Sequence, residues 1–176
     1  MPNEPLDIRV AGQDDVAVLA AVGSAVFWDA YGGTAPDANI ARHVKKYFSE
    51  DAVATEIARS GVTYFMAVED GHCAGLVKMR EGNVPALVLA DSVVEVQQLY
   101  VSTEFQRRGV GGLLLDHAVV EVRNRGIDGI WLSVWTQADW ATGFYRKYGF
   151  ESLGEIAFRL ADTEFVDYLM WLPVGE

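Results

Sequence analysis

Val93-Val94-Glu95-Val96-Gln97-Gln98-Leu99-Tyr100-Val101 runs through Ser102-Thr103-Glu104-Phe105 into Gln106-Arg107-Arg108-Gly109-Val110-Gly111-Gly112. The first nine residues are apolar and β-branched enough to form a strand, and the polar cluster after Val101 stops it. From Gly109 to Asn124, Leu113, Leu114, Ala118, Val119 and Val122 recur at helical spacing, with Gly126 just beyond as a C-cap. The glycine-rich turn therefore joins a strand to a helix. Its glycines let backbone approach a ligand closely, and N–H groups at a helix start have no intrahelical partner and carry the positive end of the dipole. That is a cradle for phosphate. Two commoner phosphate loops are excluded: Leu114 stands where a dinucleotide fingerprint needs a third Gly or Ala, and no Gly-Lys-Ser/Thr is present. On the motif alone, a tight turn that binds nothing stays open.

Working outward, Leu6 to Val10 reads as a short strand. Asp14-Asp15 opens a helix with Val16, Leu19, Ala20, Val22, Val26 and Phe27 on its apolar side, broken by Gly32-Gly33. Pro36-Asp37 starts a second helix striped by Ile40, Val44, Tyr47 and Phe48, and a third follows Ser49. Val62 to Glu69 and Cys73 to Arg80 flank Asp70-Gly71, the strongest hairpin signal in the chain. Beyond the glycine turn come a strand Ile130 to Trp135, a helix Ala138 to Tyr148 closed by Gly149, and a strand pair, Phe150 to Leu160 and Phe165 to Leu172. This order predicts an α/β (α+β) fold, a mixed sheet with helices on its faces.

The chain has 176 residues, 51% hydrophobic, with 25 acidic and 14 basic side chains and a formal net charge of -11. One domain spanning residues 1–176 is expected, large enough to bury a core without metal or disulfide. The acidic balance argues against nucleic acid and anionic membrane as partners. The single Cys73 fits a cytoplasmic setting, and no apolar run reaches the roughly 20 residues of a membrane span. His43, His72 and His117 lie far apart without metal-ligand spacing, so each reads as structural or surface and no metal is expected.

Leu99-Tyr100-Val101, the Gln-Arg-Arg-Gly-Val-Gly-Gly turn, the strand ending Val134-Trp135 and Ala141-x-x-Phe144-Tyr145-x-x-x-Gly149-Phe150 together resemble the GCN5-related N-acetyltransferase (GNAT) superfamily. Gln106, Gly109 and Gly111 match its Q/R-x-x-G-x-G/A acetyl-CoA motif. Phe27-x-x-x-Tyr31, Ile130-Trp131-Leu132-x-Val134-Trp135 and Asp167-x-x-Met170 look most like bacterial polyamine (spermidine/spermine-type) acetyltransferases. The resemblance implies a mostly antiparallel sheet splayed between the fourth and fifth strands, with acetyl-CoA as cosubstrate in the splay. Leu99, Tyr100 and Val101 inherit the pantetheine contacts; Gln106, Arg107, Arg108, Gly109, Val110, Gly111 and Gly112 inherit the pyrophosphate, and Phe144 also lines the cofactor path.

The chemistry implied is direct acetyl transfer to a primary amine. An alkyl ammonium of reference pKa about 10.4 costs roughly 4.6 kcal/mol to deprotonate at pH 7, so a proton acceptor is expected. Glu95 inherits that role, and strand alternation predicts Glu95 and Gln97 on the face of Leu99. Tyr145 inherits the general acid for the departing thiolate. Gln97 stands where relatives often carry a second acid, and Ala138 where they commonly carry a cofactor-contacting Asn. Trp28, Tyr31, Gln97 and Trp135 are candidates for the acceptor site, Trp28 and Tyr31 by cation-π contact, whereas Phe27 reads as core. A small-molecule amine is the expected partner, and a homodimer is compatible with the sequence. Two alternatives stand beside this reading: an acyl-CoA-binding regulator without turnover, and an acetyltransferase for protein or peptide amines.

Overall fold

A computed structural model describes residues 6–175. Its strands are β1 Asp7–Val10, β2 Val62–Glu69, β3 His72–Glu81, β4 Val93–Val101, β5 Gly129–Trp135, β6 Glu151–Leu160 and β7 Thr163–Pro173; its α-helices are α1 Val16–Tyr31, α2 Asp37–Tyr47, α3 Glu50–Ile57, α4 Val110–Asn124 and α5 Asp139–Tyr148. The strands make one sheet in the order β1-β2-β3-β4-β5-β7-β6. Every neighbouring pair is antiparallel except β4 with β5. This is the mixed, mostly antiparallel fold that the sequence predicts.

Local chemistry accounts for most boundaries. Asp70 and Gly71 both take positive φ, 50° and 77°, which is what a two-residue turn matched to strand twist requires. The Ser49 side chain accepts from the Ala52 N–H at the start of α3. Helix α1 begins after a 3-10 turn, Gln13–Asp15, where Asp15 accepts from the Gly12 N–H and pairs with Arg9.

The sheet buries both faces. On one, Val110, Leu114, Leu115, Ala118 and Val122 of α4 pack on Val77, Met79, Val94, Val96, Ile130 and Leu132. On the other, Leu19 and Ala20 of α1 and Val53 of α3 pack on Tyr64, Met66 and Leu76. Each such Leu or Ile taken fully out of water contributes roughly 1.5–3 kcal/mol. Further along that second face, Phe27 and Ile40 meet Phe48, Leu160 and Phe165. Phe27 is only 4% exposed, the core position expected of it.

The strand pattern has two irregularities that shape the site. Pairing between β4 and β5 stops after Val93 with Gly129, Val94 with Ile130 and Glu95 with Trp131, so both strands continue apart as the arms of a fork. In β4 the register against β3 jumps from Gln98 to Val96, leaving Gln97 as the extra residue of a bulge. Near the end of the β4 arm, β3 comes so close that a Cβ on Gly75 would lie 2.6 Å from the Tyr100 carbonyl oxygen; only glycine fits.

Candidate active site

The bulge corrects one expectation outright. Simple alternation puts Glu95 and Leu99 on the same face, but the extra residue switches the phase of the strand. Val94, Val96, Leu99 and Val101 pack on the α4 side, whereas Val93 and Tyr100 pack on the opposite side. Glu95 therefore shares a face with the Tyr100 ring, toward α1 and α2. Gln97 is exposed at the bulge and does not join the aromatic cluster on that face.

Glu95 is half-buried, and its Oε2 is buried without a hydrogen-bond partner. Burial raises its carboxyl above the ordinary range; the Asn83 side chain and the cations Arg80 and Lys78 pull the other way. Lys78, itself 5% exposed, is held by Glu56 at 2.8 Å and lies over the Tyr64 ring.

At the turn before α4, Arg107 and Gly109 take positive φ of 60° and 84°. The first helical bond there runs from the Leu113 N–H to the Gly109 carbonyl, so the N–H groups of Val110, Gly111 and Gly112 have no backbone acceptor among the described residues. A Cβ at Gly109 or Gly112 would meet nothing within 4 Å, while one at Gly111 would touch Val101 and Phe144. Phe144 thus closes α5 over the turn.

Two side chains of the motif have other partners. The Gln106 amide folds back to donate to the Val101 carbonyl at 3.3 Å, and Arg108 forks onto Glu69 at 2.7 and 2.8 Å while covering the Phe105 ring. Both tether the turn to the sheet. Arg107 is the exposed cation left at the turn without a recorded ion-pair partner among the described residues.

On the α4 face, Tyr145 sits edge-on to Phe144 and Phe150, at 5.2 and 5.6 Å, with its phenol raised by burial. Burial chiefly, with smaller contributions from the nearby Tyr31, Tyr145 and Tyr64 phenols, pushes the Tyr100 phenol up as well.

On the opposite face, Tyr31 stacks on Phe27 at 4.5 Å and on Trp135 at 6.1 Å, and meets Phe165 edge-on at 5.6 Å. Trp28 packs at the margin of this cluster. His43 stacks flat on Phe27 at 4.5 Å, and burial lowers it to about 4, so it is a neutral ring near pH 7.

Beside Tyr31 lies a residue that sequence reading left without a role. Asp167 of β7 is 3% exposed, its Oδ1 has no partner, and burial raises its carboxyl to about 6 against the opposing Ser133 hydroxyl. The signal was present: Phe165, Asp167, Leu169 and Trp171 alternate along one strand, and an acid in such an apolar row is rare without a task.

Comparison with known proteins agrees with this geometry. The model of the acetyltransferase (GNAT) family matches residues 24–150. An uncharacterized N-acetyltransferase of Lactobacillus delbrueckii subsp. lactis is 27% identical over 158 residues, 90% of this chain and 91% of that one. The ribosomal protein bS18-alanine N-acetyltransferase of Salmonella typhimurium is 32% identical over 73 residues, 40% of this chain and 49% of that one. The PaiA N-acetyltransferase of Thermoplasma acidophilum, solved with coenzyme A, superposes with a TM-score of 0.78 at 22% identity, covering 96% of this chain and 99% of that one. With the forked sheet, the glycine cradle and the matching family model in place, the chain belongs to the acetyltransferase (GNAT) family, and it is an N-acetyltransferase that uses acetyl-CoA.

Proposed function

We propose that this enzyme acetylates a primary amine directly and that the amine is a small polycation of the polyamine kind. The fork between β4 and β5 carries the cofactor half of this reading: beyond Glu95 and Trp131, backbone groups on the inner edges of both arms lack a strand partner. The three N–H groups of Val110 to Gly112, the open space beside Gly109 and Gly112 and the Arg107 side chain suit a pyrophosphate. Bound there, acetyl-CoA supplies an acyl carbon activated as a thioester. Leu99, Tyr100 and Val101 offer backbone partners to the pantetheine arm and to the developing oxyanion. Tyr145 keeps its proton at Oη through neutral pH because burial raises it, and is the donor for the leaving sulfur. Glu95, on the acceptor face and raised by burial, is a stronger base than an exposed glutamate.

The size of the acceptor is read from α2. The Asn39 amide donates to Thr163 Oγ1 at 3.1 Å, Arg42 pairs with Asp162 at 3.0 Å, and Ile40 and Leu160 are fully buried nearby. These contacts fasten α2 to the turn between β6 and β7, so the acceptor face is bounded and suits a short amine better than a polypeptide. Tyr31 and Trp135 wall it, and the net charge of -11 draws cations toward it over about 8–10 Å at ordinary ionic strength. Acetylation of a protein N-terminus is the second reading, favoured by the stretch of identity with the bS18-alanine enzymes.

Thiol release from acetyl-CoA decides between them, with spermidine, n-octylamine and a peptide beginning with alanine as acceptors at low and high salt. Spermidine is expected to give the highest kcat/KM, with its advantage over octylamine shrinking as salt rises. Preference for the peptide overturns the polyamine reading and leaves acetyl transfer intact. Acetyl-CoA binding without thiol release for any acceptor overturns both.

A further inference from the structure

Asp167 and Ser133 lie together on the β7 and β5 side of the fork. Ser133 stands two positions beyond the last β4–β5 pair, on the arm that has separated, and it is exposed while Trp131 and Val134 around it are buried. Alternation puts it on the face of Trp131 and Trp135, toward the aromatic cluster. Asp167 is its buried neighbour on the same face. Among the described residues, strand pairing and electrostatics set beside that carboxylate Ser133 and Trp135 from β5, Ile156 from β6 and Tyr31 from α1, and none of these is a cation. A 3% exposed carboxylate with a bare oxygen and no counter-ion is costly to keep, and a native orphan of this kind calls for an explanation.

We propose that Ser133 and Asp167 form a proton relay for the acceptor amine, with the serine hydroxyl facing the fork and the aspartate behind it as the final acceptor. This rests on the amine-acetylating reading given above and adds to it a second route for the proton, on the arm opposite Glu95. The ammonium N–H bond breaks as a bond forms to the Ser133 Oγ, and the proton that Oγ already shares with Asp167 passes to the carboxylate. The amine is left with its lone pair, the serine unchanged and the aspartate neutral. Charge separation in the apolar wall is thereby cancelled, since the carboxylate loses its charge when the ammonium does. A carboxyl held near 6 is ionised at pH 7 and, against an ordinary aspartate of 3.8, a better proton acceptor by about 10²-fold. Asp167 works through Ser133 and is a positioning residue until the proton arrives.

The test is the pH dependence of kcat/KM between about pH 5 and 9, by thiol release, for spermidine and for the alanine peptide, with wild type, Ser133→Ala, Asp167→Asn and Glu95→Gln. Titration of the amine alone makes kcat/KM fall about tenfold per pH unit as pH drops, and an enzyme carboxylate needed in its charged form steepens that fall below about pH 6. Asp167→Asn and Ser133→Ala are each expected to lose the steepening and to lower kcat/KM at pH 7 by about 10-fold or more, while acetyl-CoA still raises Tm as in wild type. A purely structural Asp167 would instead change Tm and leave the profile alone. Because Ser133 is exposed, its alanine variant keeps the test sound even if Asp167→Asn folds poorly. If wild type turns over and both variants keep the steepening, with Glu95→Gln alone removing it, the relay is overturned and the acetyltransferase reading survives. If wild type turns over neither amine, that reading fails first and the relay falls with it.

Discussion

Asp167 makes the fold less stable than it need be, and the sign of the effect is fixed by the direction of its shift. Folding raises the carboxyl from 3.8 to about 6, so between those values the folded chain holds a proton that the unfolded chain has released. Stability attributable to this group is therefore full below about pH 4 and lost as pH rises through 6, by an upper figure of about 3 kcal/mol at 1.36 kcal/mol per unit. Urea unfolding of wild type and Asp167→Asn at pH 4.5 and 7.5 should show the variant gaining on wild type at the higher pH; a constant difference would mean that the carboxyl is not perturbed. Tyr145→Phe separates chemistry from packing, because it keeps the ring between Phe144 and Phe150 and deletes only the donor. Turnover by thiol release is expected to fall about 10²-fold or more with little change in acetyl-CoA affinity. Near-normal turnover would return Tyr145 to the core.

At the scale of elements, punctuation in the sequence did most of the work. Asp70-Gly71 and Gly126 are visible because their backbone needs positive φ, and residues 93–101 are bounded by polar clusters that end strands. The bulge at Gln97 is invisible by the same means, since a single inserted residue changes neither composition nor local propensity. It shows only in the register against β3, a partner some twenty residues away, and that one residue decides which face Glu95 serves. The Arg108–Glu69 pair spans 39 positions and was hidden for the same reason: the sequence shows an arginine placed for phosphate but not the carboxylate that also holds it. A deletion tests the bulge as a device. Removing Gln97 leaves Val94, Val96, Leu99 and Val101 at plain alternate positions on the α4 face, so that variant should still fold with only the kink of the bulge lost, and Gln97→Ala should keep stability within about 1 kcal/mol of wild type because the side chain is exposed. Circular dichroism melts of the two variants check both halves of the expectation.

For the whole molecule, β1 to β4 form one antiparallel block and β5 to β7 another. Among the described residues, three strand pairs and the bond from the Asp128 N–H to the Ser92 carbonyl just before them stitch the blocks edge to edge, with α4 laid over both as a splint. A sheet so divided has a mechanical seam. Strain applied across it concentrates at Val93–Glu95 and Gly129–Trp131, and amides on the inner edges of the arms beyond the seam, lacking a strand partner, are open to exchange with solvent. A long, hydrogen-bonding ligand laid between the arms acts as mortar, joining the blocks along a length that the chain itself leaves unjoined. Hydrogen exchange should thus slow on acetyl-CoA binding at residues 98–101 and 132–135 on both sides of the fork, and much less in the β6–β7 hairpin; equal protection everywhere would mean global stabilisation with no seam to fill. The enzyme is in this sense a vault delivered without its keystone, and its cosubstrate completes the architecture each time it arrives and reopens it each time it leaves.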